Sequence, residues 1–465
     1  VIQRATAKDP GARYADAVEL AADFRRAMQL DAELPGIPES EIYNPYKGLR
    51  PFQEGDTKDF YGRVVLIRQL LERIQEAGDT RRFLAVVGPS GSGKSSVVKA
   101  GLVPALREGG LAGAEDWFIT GMKPGAHPLE ELELAILRVA VTQPPSLLGQ
   151  IKADTRGTLR AVRRVLPEGS QLLLVVDQLE ELFTLVRDPA EMNFFLESIY
   201  QAVSDPQSPL RVLVTLRADY YDRPLKHPGF SLLIEERTQV VKPLSTSELE
   251  QAICEPANRL GVAFESGLTS TIVGEVHEEP GALPILQYAL TELFERREGR
   301  LISKEAYEEI GGVRGALARR AEEIYLGLDE HGREAARQLL LRLVTLGEGQ
   351  EDTRRRVLRS EVNALIGESS PDVIESYGRA RLLTFDHDPQ TREPTIEVAH
   401  EALLQEWGRL REWLDESRAD IRLQRVLGNA AEEWQSAERD PGFLLRGSRL
   451  DQFEAWVENT DLVLT

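Results

Sequence analysis

The segment that most constrains this chain is Gly88-Pro89-Ser90-Gly91-Ser92-Gly93-Lys94-Ser95, which fits the pattern G-x-x-x-x-G-K-[ST]. The apolar run 83–87 precedes it as a buried parallel strand would, and residues 96–102 can begin a helix. A strand, a glycine loop and a helix N-terminus in this order direct backbone N–H groups toward phosphate oxygens. The segment therefore predicts a nucleotide site. Its predicted phosphate-binding residues are Gly88, Ser90, Gly91, Ser92, Gly93, Lys94, Ser95 and Ser96.

Two side chains of this loop have predicted chemical roles. Lys94 would reach the β- and γ-phosphates, and the Ser95 hydroxyl would ligate Mg²⁺. The predicted cofactors are thus ATP or ADP with Mg²⁺.

A second apolar run, 171–176, predicts a buried strand that ends at Asp177. A carboxylate at the C-terminal end of a parallel strand lies where α/β sheets bind ligands, so Asp177 is the predicted Mg²⁺ partner. Glu180 and Glu181 follow about one helical turn later, and either one would polarise the attacking water. The sequence does not distinguish between them, and a solvated helix start is the alternative interpretation of both.

Two further positions complete the predicted site. Arg217 follows the apolar run 211–216, where it would sense the γ-phosphate or form a salt bridge with Glu180 or Asp219. Tyr61 and Gly62 precede the glycine loop by about 25 residues, and this element would fold over the adenine base. A turn at a helix start explains Tyr61 and Gly62 equally well.

Composition limits the class of protein. At 465 residues the chain has room for roughly three domains. The formal net charge of −20 argues against sequence-independent binding of nucleic acid or of an anionic membrane. A single cysteine, Cys254, excludes intrachain disulfides and suits a reducing cytoplasm; we expect it to pack within a helix. No apolar run approaches the ~20 residues of a membrane span, and the start at Val1 suggests a segment of a longer protein.

The predicted fold class is an α/β P-loop NTPase over residues 44–244, because five strands alternate with helices and so form a parallel sheet with helices on both faces. Residues 245–330 predict an all-α helical domain that begins with a capping box at Ser245-Thr246-Ser247-Glu248. Helices at 334–345 and 372–381 followed by a β-hairpin predict a winged-helix domain over 331–417. Residues 418–465 predict a C-terminal helical segment. Trp407, Trp413, Trp434 and Trp456 recur on apolar faces at the end of the chain, which predicts the core of a helical bundle; an aromatic surface for a partner is the alternative.

From Asn44 to about Trp456 the chain resembles the bacterial novel STAND class of signal-transducing ATPases, relatives of the NACHT and apoptotic-ATPase switches. The resemblance rests on the order and spacing of "VVGPSGSGKSSVVKAGLVPAL", "LLLVVDQLEELF", "VTLRADYYD", "GALPILQYALTELFE" and "EVAHEALLQEWGRLREWL". It implies that Pro284 packs near adenine and that His400 contacts the ADP β-phosphate in the resting state. Val64 stands where the family usually has Glu, so no carboxylate role is expected at that position.

Residues 1–30 resemble the C-terminal tail of a Ser/Thr protein kinase domain, and 31–43 read as a linker. The kinase lysine strand, catalytic loop and metal-binding aspartate motif are missing, so no kinase activity is expected of this chain. The class often joins an N-terminal effector to C-terminal sensor repeats such as a WD-repeat propeller. The resemblance therefore implies an effector kinase and a sensor as partners within a longer protein.

Three functional hypotheses follow. The first is a slow ATPase whose bound ATP or ADP controls self-association and the attached effector. The second is an ATP-dependent DNA-binding initiator that uses the winged helix. The third is a nucleotide-binding scaffold that does not hydrolyse.

Overall fold

The fold is seen in a computed structural model that describes residues 38–464, with gaps at 142, 143, 145, 278–280, 348–351, 368, 369, 389, 390 and 392. The predicted kinase tail at 1–30 and the first seven residues of the predicted linker lie outside the described residues.

A five-stranded parallel sheet with the order β2-β3-β4-β1-β5 forms the first half of the structure. Every residue of β1 and of β3 is buried, which explains why both read as continuous apolar runs rather than alternating ones. The predicted parallel sheet is confirmed. The strands are β1 (Phe83–Gly88), β2 (Phe118–Met122), β3 (Leu172–Val176), β4 (Leu210–Arg217) and β5 (Thr238–Val240).

Helices cover both faces of this sheet, as the sequence predicts. Phe83, Ala85 and Val87 of β1 belong to one apolar cluster, whereas Leu84 and Val86 point to a separate cluster on the other face. The helices of this region are α1 (Val64–Gln75), α2 (Lys94–Ser96, a π-helical turn at Val97–Leu102, then Val103–Arg107), α3 (Pro128–Arg138), α4 (Leu148–Ala153), α5 (Gly157–Val165), α6 (Glu181–Thr184), α7 (Pro189–Ser204) and α8 (Pro228–Glu236).

A helical region follows the sheet. The Ser245 side chain accepts from the Glu248 backbone N–H and the Glu248 carboxylate accepts from Ser245 N–H, which is the predicted capping box. The elements are α9 (Thr246–Arg259), β6 (Ala263–Phe264), α10 (Leu268–Val276), α11 (Leu283–Glu295), β7 (Leu301–Ile302), α12 (Lys304–Glu309) and α13 (Gly312–Gly327). The short parallel pair β6 and β7 is not predicted by the sequence, because two-residue strands leave no periodicity.

The described residues of the third region form three helices and two antiparallel sheets, one of two strands and one of three. The sequence predicts two helices, and this is wrong: α15 lies between them. The predicted helix 334–345 also ends earlier, at Arg342, because Val344 and Thr345 form strand β8. The elements are α14 (Glu330–Arg342), β8 (Val344–Thr345), β9 (Thr353–Arg354), β10 (Val357–Leu358), α15 (Arg359–Ile366), α16 (Ser370–Arg379), β11 (Leu383–His387) and β12 (Pro394–Val398). Strand β12 pairs with both β10 and β11.

The chain then continues through α17 (Ala402–Glu406), α18 (Gly408–Ser436) and α19 (Ser448–Val457). Trp407 and Trp413 are buried with their ring centroids 5.7 Å apart, and Trp413 lies 5.2 Å from the Tyr325 ring. These tryptophans therefore form part of a core, as their helical spacing predicts. Among the described residues, no helix combines the length and apolar character needed to cross a membrane.

One apolar cluster extends from Leu244 to Leu462 and contains side chains of α9 to α18, so these helices share one core and are here called the helical block. Residues 44–52, here called the N-terminal strap, join this block to the first turn of α2, which follows the glycine loop. Tyr46 is 2% exposed, belongs to the same cluster and donates its hydroxyl to the Ile253 carbonyl. At the other end of the strap, the Phe52 backbone N–H donates to Ser96 Oγ at 3.2 Å.

Candidate functional site

The glycine loop between β1 and α2 has the conformation that phosphate binding needs. Gly91 and Gly93 have φ of 69° and 87°, a region that favours glycine. A Cβ on Gly91 would lie 2.9 Å from the Gly281 carbonyl oxygen, so the loop packs directly against the segment that leads to Pro284. The order of strand, loop and helix N-terminus is the one that the sequence predicts.

Lys94 folds back over this loop. Its Nζ donates to the carbonyl oxygens of Gly88 at 2.9 Å and Pro89 at 2.8 Å, and the residue is buried. Burial lowers the pKa of Lys94, although the Glu180 charge opposes this shift. The ammonium is therefore held at the loop, where it can exchange carbonyl partners for phosphate oxygens.

Asp177 lies at the end of β3 with its carboxylate fully engaged. Its Oδ1 accepts from Ser95 Oγ at 2.6 Å and from Thr215 Oγ1 at 2.7 Å. Its Oδ2 lies 2.6 Å from Lys99 Nζ. Burial alone would raise the pKa of Asp177, but the Lys99 charge and the hydrogen bonds bring that pKa below its ordinary value.

The hydroxyl of Ser95 and the carboxylate of Asp177 are hard oxygen donors, and their contact fits them to hold Mg²⁺ together. The sequence prediction missed Lys99. The signal was present, because residues four apart on a helix lie on one face, which places Lys99 beside Ser95. The π-helical turn at Val97–Leu102 carries Lys99, and such turns often occur at functional sites.

The backbone immediately after Asp177 is strained. Gln178 has φ of 62°, which is uncommon for a residue with a side chain, and its N–H donates to Thr215 Oγ1 at 2.8 Å. This bend leads the chain from β3 toward the two predicted acids.

The structure places Glu180 and Glu181 differently. Glu180 lines the cavity next to the glycine loop, and its carboxylate accepts from the Arg217 N–H at 3.2 Å. Glu181 does not line this cavity; it accepts from the Gly125 N–H at 3.3 Å and lies 3.9 Å from Lys123 Nζ. Burial raises the pKa of both carboxyls. The geometry thus favours Glu180 over Glu181 as the group that faces bound phosphate.

Arg217 adopts the salt bridge that the sequence left as its alternative role. Its Nε and Nη2 lie 3.0 and 2.7 Å from the two oxygens of Asp219. Arg217 nevertheless lines the cavity, so the guanidinium remains within the site while it is paired.

The cavity itself has a volume of about 390 Å³ and is formed by three parts of the chain. The α/β part contributes Tyr61 and most of the glycine loop, α11 contributes Pro284, and β9 contributes Arg354. The predicted residues along its wall are Tyr61, Ser90, Gly91, Gly93, Lys94, Ser95, Ser96, Asp177, Glu180, Arg217 and Pro284.

Gly88, Ser92 and Gly62 do not line the cavity but support its walls. A Cβ on Gly88 would lie 2.9 Å from Ser92 Oγ, and one on Gly62 would lie 2.4 Å from the Glu248 carbonyl oxygen. Arg63, which the sequence prediction missed, donates to the carbonyls of Ser92 at 3.0 Å and Lys242 at 2.8 Å and so fixes the loop to the sheet. The strap residues Gly48–Phe52 also line the cavity and were not predicted.

His400 is not among the residues that line the cavity. Its Nδ1 accepts from the Ala402 N–H at 3.1 Å. Burial lowers the pKa of His400, and the neighbouring Arg354 charge acts in the same direction. Arg354 is held by the carbonyls of Val398 at 3.3 Å and Ala399 at 3.2 Å, and it is this side chain that reaches the cavity.

Comparison with solved structures gives distant likenesses. The chain is similar to the Aeropyrum pernix ORC1 protein in complex with DNA, at 15% identity and a TM-score of 0.40, over 79% of this chain and 96% of that one. It is similar to the Aeropyrum pernix ORC2 protein in ADPNP–ADP complexes, at 15% identity and a TM-score of 0.38, over 78% and 93% of the two chains. It is also similar to Drosophila ORC bound to DNA, at 13% identity and a TM-score of 0.33, over 82% and 97%. No curated protein matches the sequence.

The family comparison covers most of the chain. The model of the family described as Novel STAND NTPase 1 matches residues 45–442, which contain the glycine loop, Asp177, Pro284, Arg354 and His400. By this match the chain belongs to the novel STAND NTPase family.

Proposed function

We propose that this chain is a nucleotide-controlled conformational switch in which bound ATP or ADP sets the position of the helical block relative to the sheet. One observation carries the proposal: a single cavity is lined by the glycine loop, by Pro284 and by Arg354, which belong to three successive parts of the chain. A nucleotide in that cavity would contact all three parts, so the number of phosphates on the nucleotide would affect how the three parts are arranged.

Different residues of the cavity would bind the phosphates, the base, the metal and the attacking water. The loop N–H groups and Lys94 bind the β- and γ-phosphates, and Tyr61 with Pro284 packs against the base. Ser95 and Asp177 would hold Mg²⁺, and this ion would neutralise the charge that develops on the phosphates. Glu180 orients the attacking water and accepts its proton. This assignment prefers Glu180 to Glu181, because only Glu180 faces the cavity.

The helices α14, α15 and α16 with the β10-β12-β11 sheet correspond, in our interpretation, to the predicted winged helix. Arg354 would be its contact with the phosphates, and His400 would contact the β-phosphate when ADP is bound. In this structure His400 does not line the cavity, and its Nδ1 accepts from the Ala402 N–H.

The binding free energies that the switch would need favour a slow ATPase. Shifting a two-state equilibrium from 1:99 to 99:1 requires about 5.5 kcal/mol of differential binding. One charge-assisted contact, such as Arg354 to phosphate, contributes about 1.5–3 kcal/mol. Further contacts, from a sensor or from self-association, must supply the remainder. We therefore propose a slow regulatory ATPase in the cytoplasm, linked to an effector kinase and sensor repeats in a longer bacterial protein.

Nucleotide binding to wild type and to Lys94→Ala tests this function, with Lys152→Ala, an exposed lysine of the same region, as the matched control. Wild type and Lys152→Ala should bind fluorescent ADP equally, while Lys94→Ala should lose at least about tenfold in affinity, the loss of one charge-assisted contact. Small-angle scattering with ADP and with a non-hydrolysable ATP analogue should give different particle dimensions. Equal dimensions in both states would leave an ATP-binding fold without a switch.

The two rival hypotheses give different results in the same experiments. A DNA-binding initiator should bind duplex DNA with a steep salt dependence. A scaffold that ignores nucleotide should keep its particle size and partners in Lys94→Ala.

A further inference from the structure

A second cavity, of about 520 Å³, lies between α14 and α18 and shares no lining residue with the nucleotide cavity. Three arginines line it: Arg342 at the end of α14, Arg355 before β10 and Arg425 on α18. Glu361 of α15 is the one acidic residue of its described lining. The lining therefore carries two positive charges in excess.

The carboxylates near these arginines are already engaged. Glu361 Oε1 lies 2.9 Å from Arg342 Nε and 3.5 Å from Arg355 Nη1, so one carboxylate serves two guanidiniums. Asp352, whose charge also acts on Arg425, forms a two-pronged salt bridge with Arg418 at 3.1 and 2.9 Å.

Arg425 is the exceptional member of the group. It donates to the Val344 carbonyl oxygen, and within the described chain no carboxylate lies within ion-pair distance of it. Burial lowers the pKa of Arg425, and repulsion from Arg355 adds to this effect. Burial likewise lowers the pKa of Arg342, whose side chain is 9% exposed. Like charges that face one partly buried space are unfavourable unless an anion pairs with them.

We propose that this cavity binds a phosphate-bearing small molecule with at least two negative charges. Guanidinium forks match the geometry of phosphate oxygens and form paired hydrogen bonds to them. Three side-chain amides of the wall supply further donors, and apolar side chains supply a surface for an organic moiety. The amides are Gln424, Asn429 and Gln435, and the apolar residues are Leu341, Val344, Ile421, Leu427 and Leu464. The volume falls within the range of small-molecule sites.

The position of the cavity gives the ligand a structural effect. A phosphate held by Arg342, Arg355 and Arg425 would tie α18 to α14 and to the segment before β10. The ligand would thus stabilise the contact between the long C-terminal helix and the three-helix region without contacting the nucleotide. This site does not depend on the proposed switch, since the two cavities are separate.

Calorimetric titration of pyrophosphate into the full chain tests the proposal, with the glycine loop saturated by ADP so that it cannot take up the probe. We expect one pyrophosphate per chain. Arg425→Met and Arg355→Met should each weaken binding about 10- to 100-fold, the loss of a charge-assisted contact. Arg422→Met is the matched control, because Arg422 is an exposed arginine one turn earlier on α18 and should leave the affinity unchanged.

Glu361→Gln separates a binding site from a merely structural cluster. Removal of the one carboxylate in the described part of the lining should tighten pyrophosphate binding, whereas a variant that only disturbs packing would weaken it. The same titration on Lys94→Ala, which lacks the loop lysine, should give the same stoichiometry even if ADP does not bind. Absence of pyrophosphate binding in both backgrounds, or equal loss in Arg422→Met and Arg425→Met, would overturn the proposal.

Discussion

Replacement of Lys99 by methionine should make nucleotide binding far more dependent on Mg²⁺. The Lys99 ammonium lies 2.6 Å from Asp177 Oδ2, so a positive side chain already contacts the carboxylate that is predicted to bind Mg²⁺. At this distance the attraction is about 6 kcal/mol for an effective dielectric constant near 20, before desolvation is counted. Lys99 is 31% exposed, and solvation reduces the net contribution to about 1–3 kcal/mol. In Lys99→Met, Mg²⁺ no longer competes with this charge.

The expected result is a change in a ratio. The affinity for ATP with millimolar Mg²⁺, divided by the affinity in EDTA, should rise about 5- to 150-fold in Lys99→Met relative to wild type. Fluorescent ATP and ADP titrations measure both affinities. Lys123→Met removes a charge from the same cavity without a contact to Asp177, and it should weaken binding equally with and without metal. If Lys99→Met and wild type show the same ratio, Lys99 does not compete with the metal and the reasoning is refuted.

Three further predictions follow from the site. Gly91→Ala should weaken ADP binding at least about tenfold, because φ at Gly91 is 69° and the new Cβ would lie 2.9 Å from the Gly281 carbonyl oxygen. Gly55 has open space around it, so Gly55→Ala is the control and should bind ADP normally in the same titration. Glu180→Gln should reduce single-turnover hydrolysis about 100-fold or more, whereas Glu181→Gln should reduce it only a few-fold, since Glu181 does not line the cavity. The pKa of His400 is lower in the folded state than in the unfolded state, so its neutral form should contribute stability above about pH 6.5 that is lost on acidification. In thermal unfolding, His400→Asn should therefore reduce the dependence of the melting temperature on pH.

Each of these predictions has an outcome that contradicts it. Equal ADP affinity in Gly91→Ala and wild type would show that the loop relaxes away from Gly281. A larger loss in Glu181→Gln than in Glu180→Gln would reverse the assignment of the base. An unchanged pH slope in His400→Asn would place the titrating group elsewhere.

The α/β part could be predicted because its signals are local. Strands β1 and β3 are buried on both faces, so their sequences are unbroken apolar runs, and Asp177 follows the second of them directly. The glycine loop predicts its own conformation, since Gly91 and Gly93 occupy backbone angles that other residues disfavour.

The residues that were missed depend on contacts between distant parts of the chain. Arg354 is held at the cavity by residues more than 40 positions away in sequence: it donates to the carbonyls of Val398 and Ala399 and pairs with the Glu397 carboxylate at 3.3 Å. Helix α15 was missed because it has only eight residues and a two-residue strand, β10, comes directly before it, so its amphipathic pattern is too short to stand out in the sequence. The choice between Glu180 and Glu181 likewise needed the orientation of the chain at the start of α6. The two residues are adjacent and of the same type, so the sequence does not show which side chain faces the cavity.

The N-terminal strap has a consequence for how motion would travel through the molecule. Tyr46 is anchored in the helical block, and Arg381 donates to the Lys47 carbonyl at 3.2 Å. Six residues after Tyr46, the Phe52 backbone N–H donates to Ser96 in the first turn of α2. A rotation of the block relative to the sheet would therefore have to move the strap residues that line the nucleotide cavity, or else break the hydrogen bond at Ser96 or the burial of Tyr46. The residue before the strap, Tyr43, contacts both Asp59 and Arg259, so the same displacement would also act on these contacts.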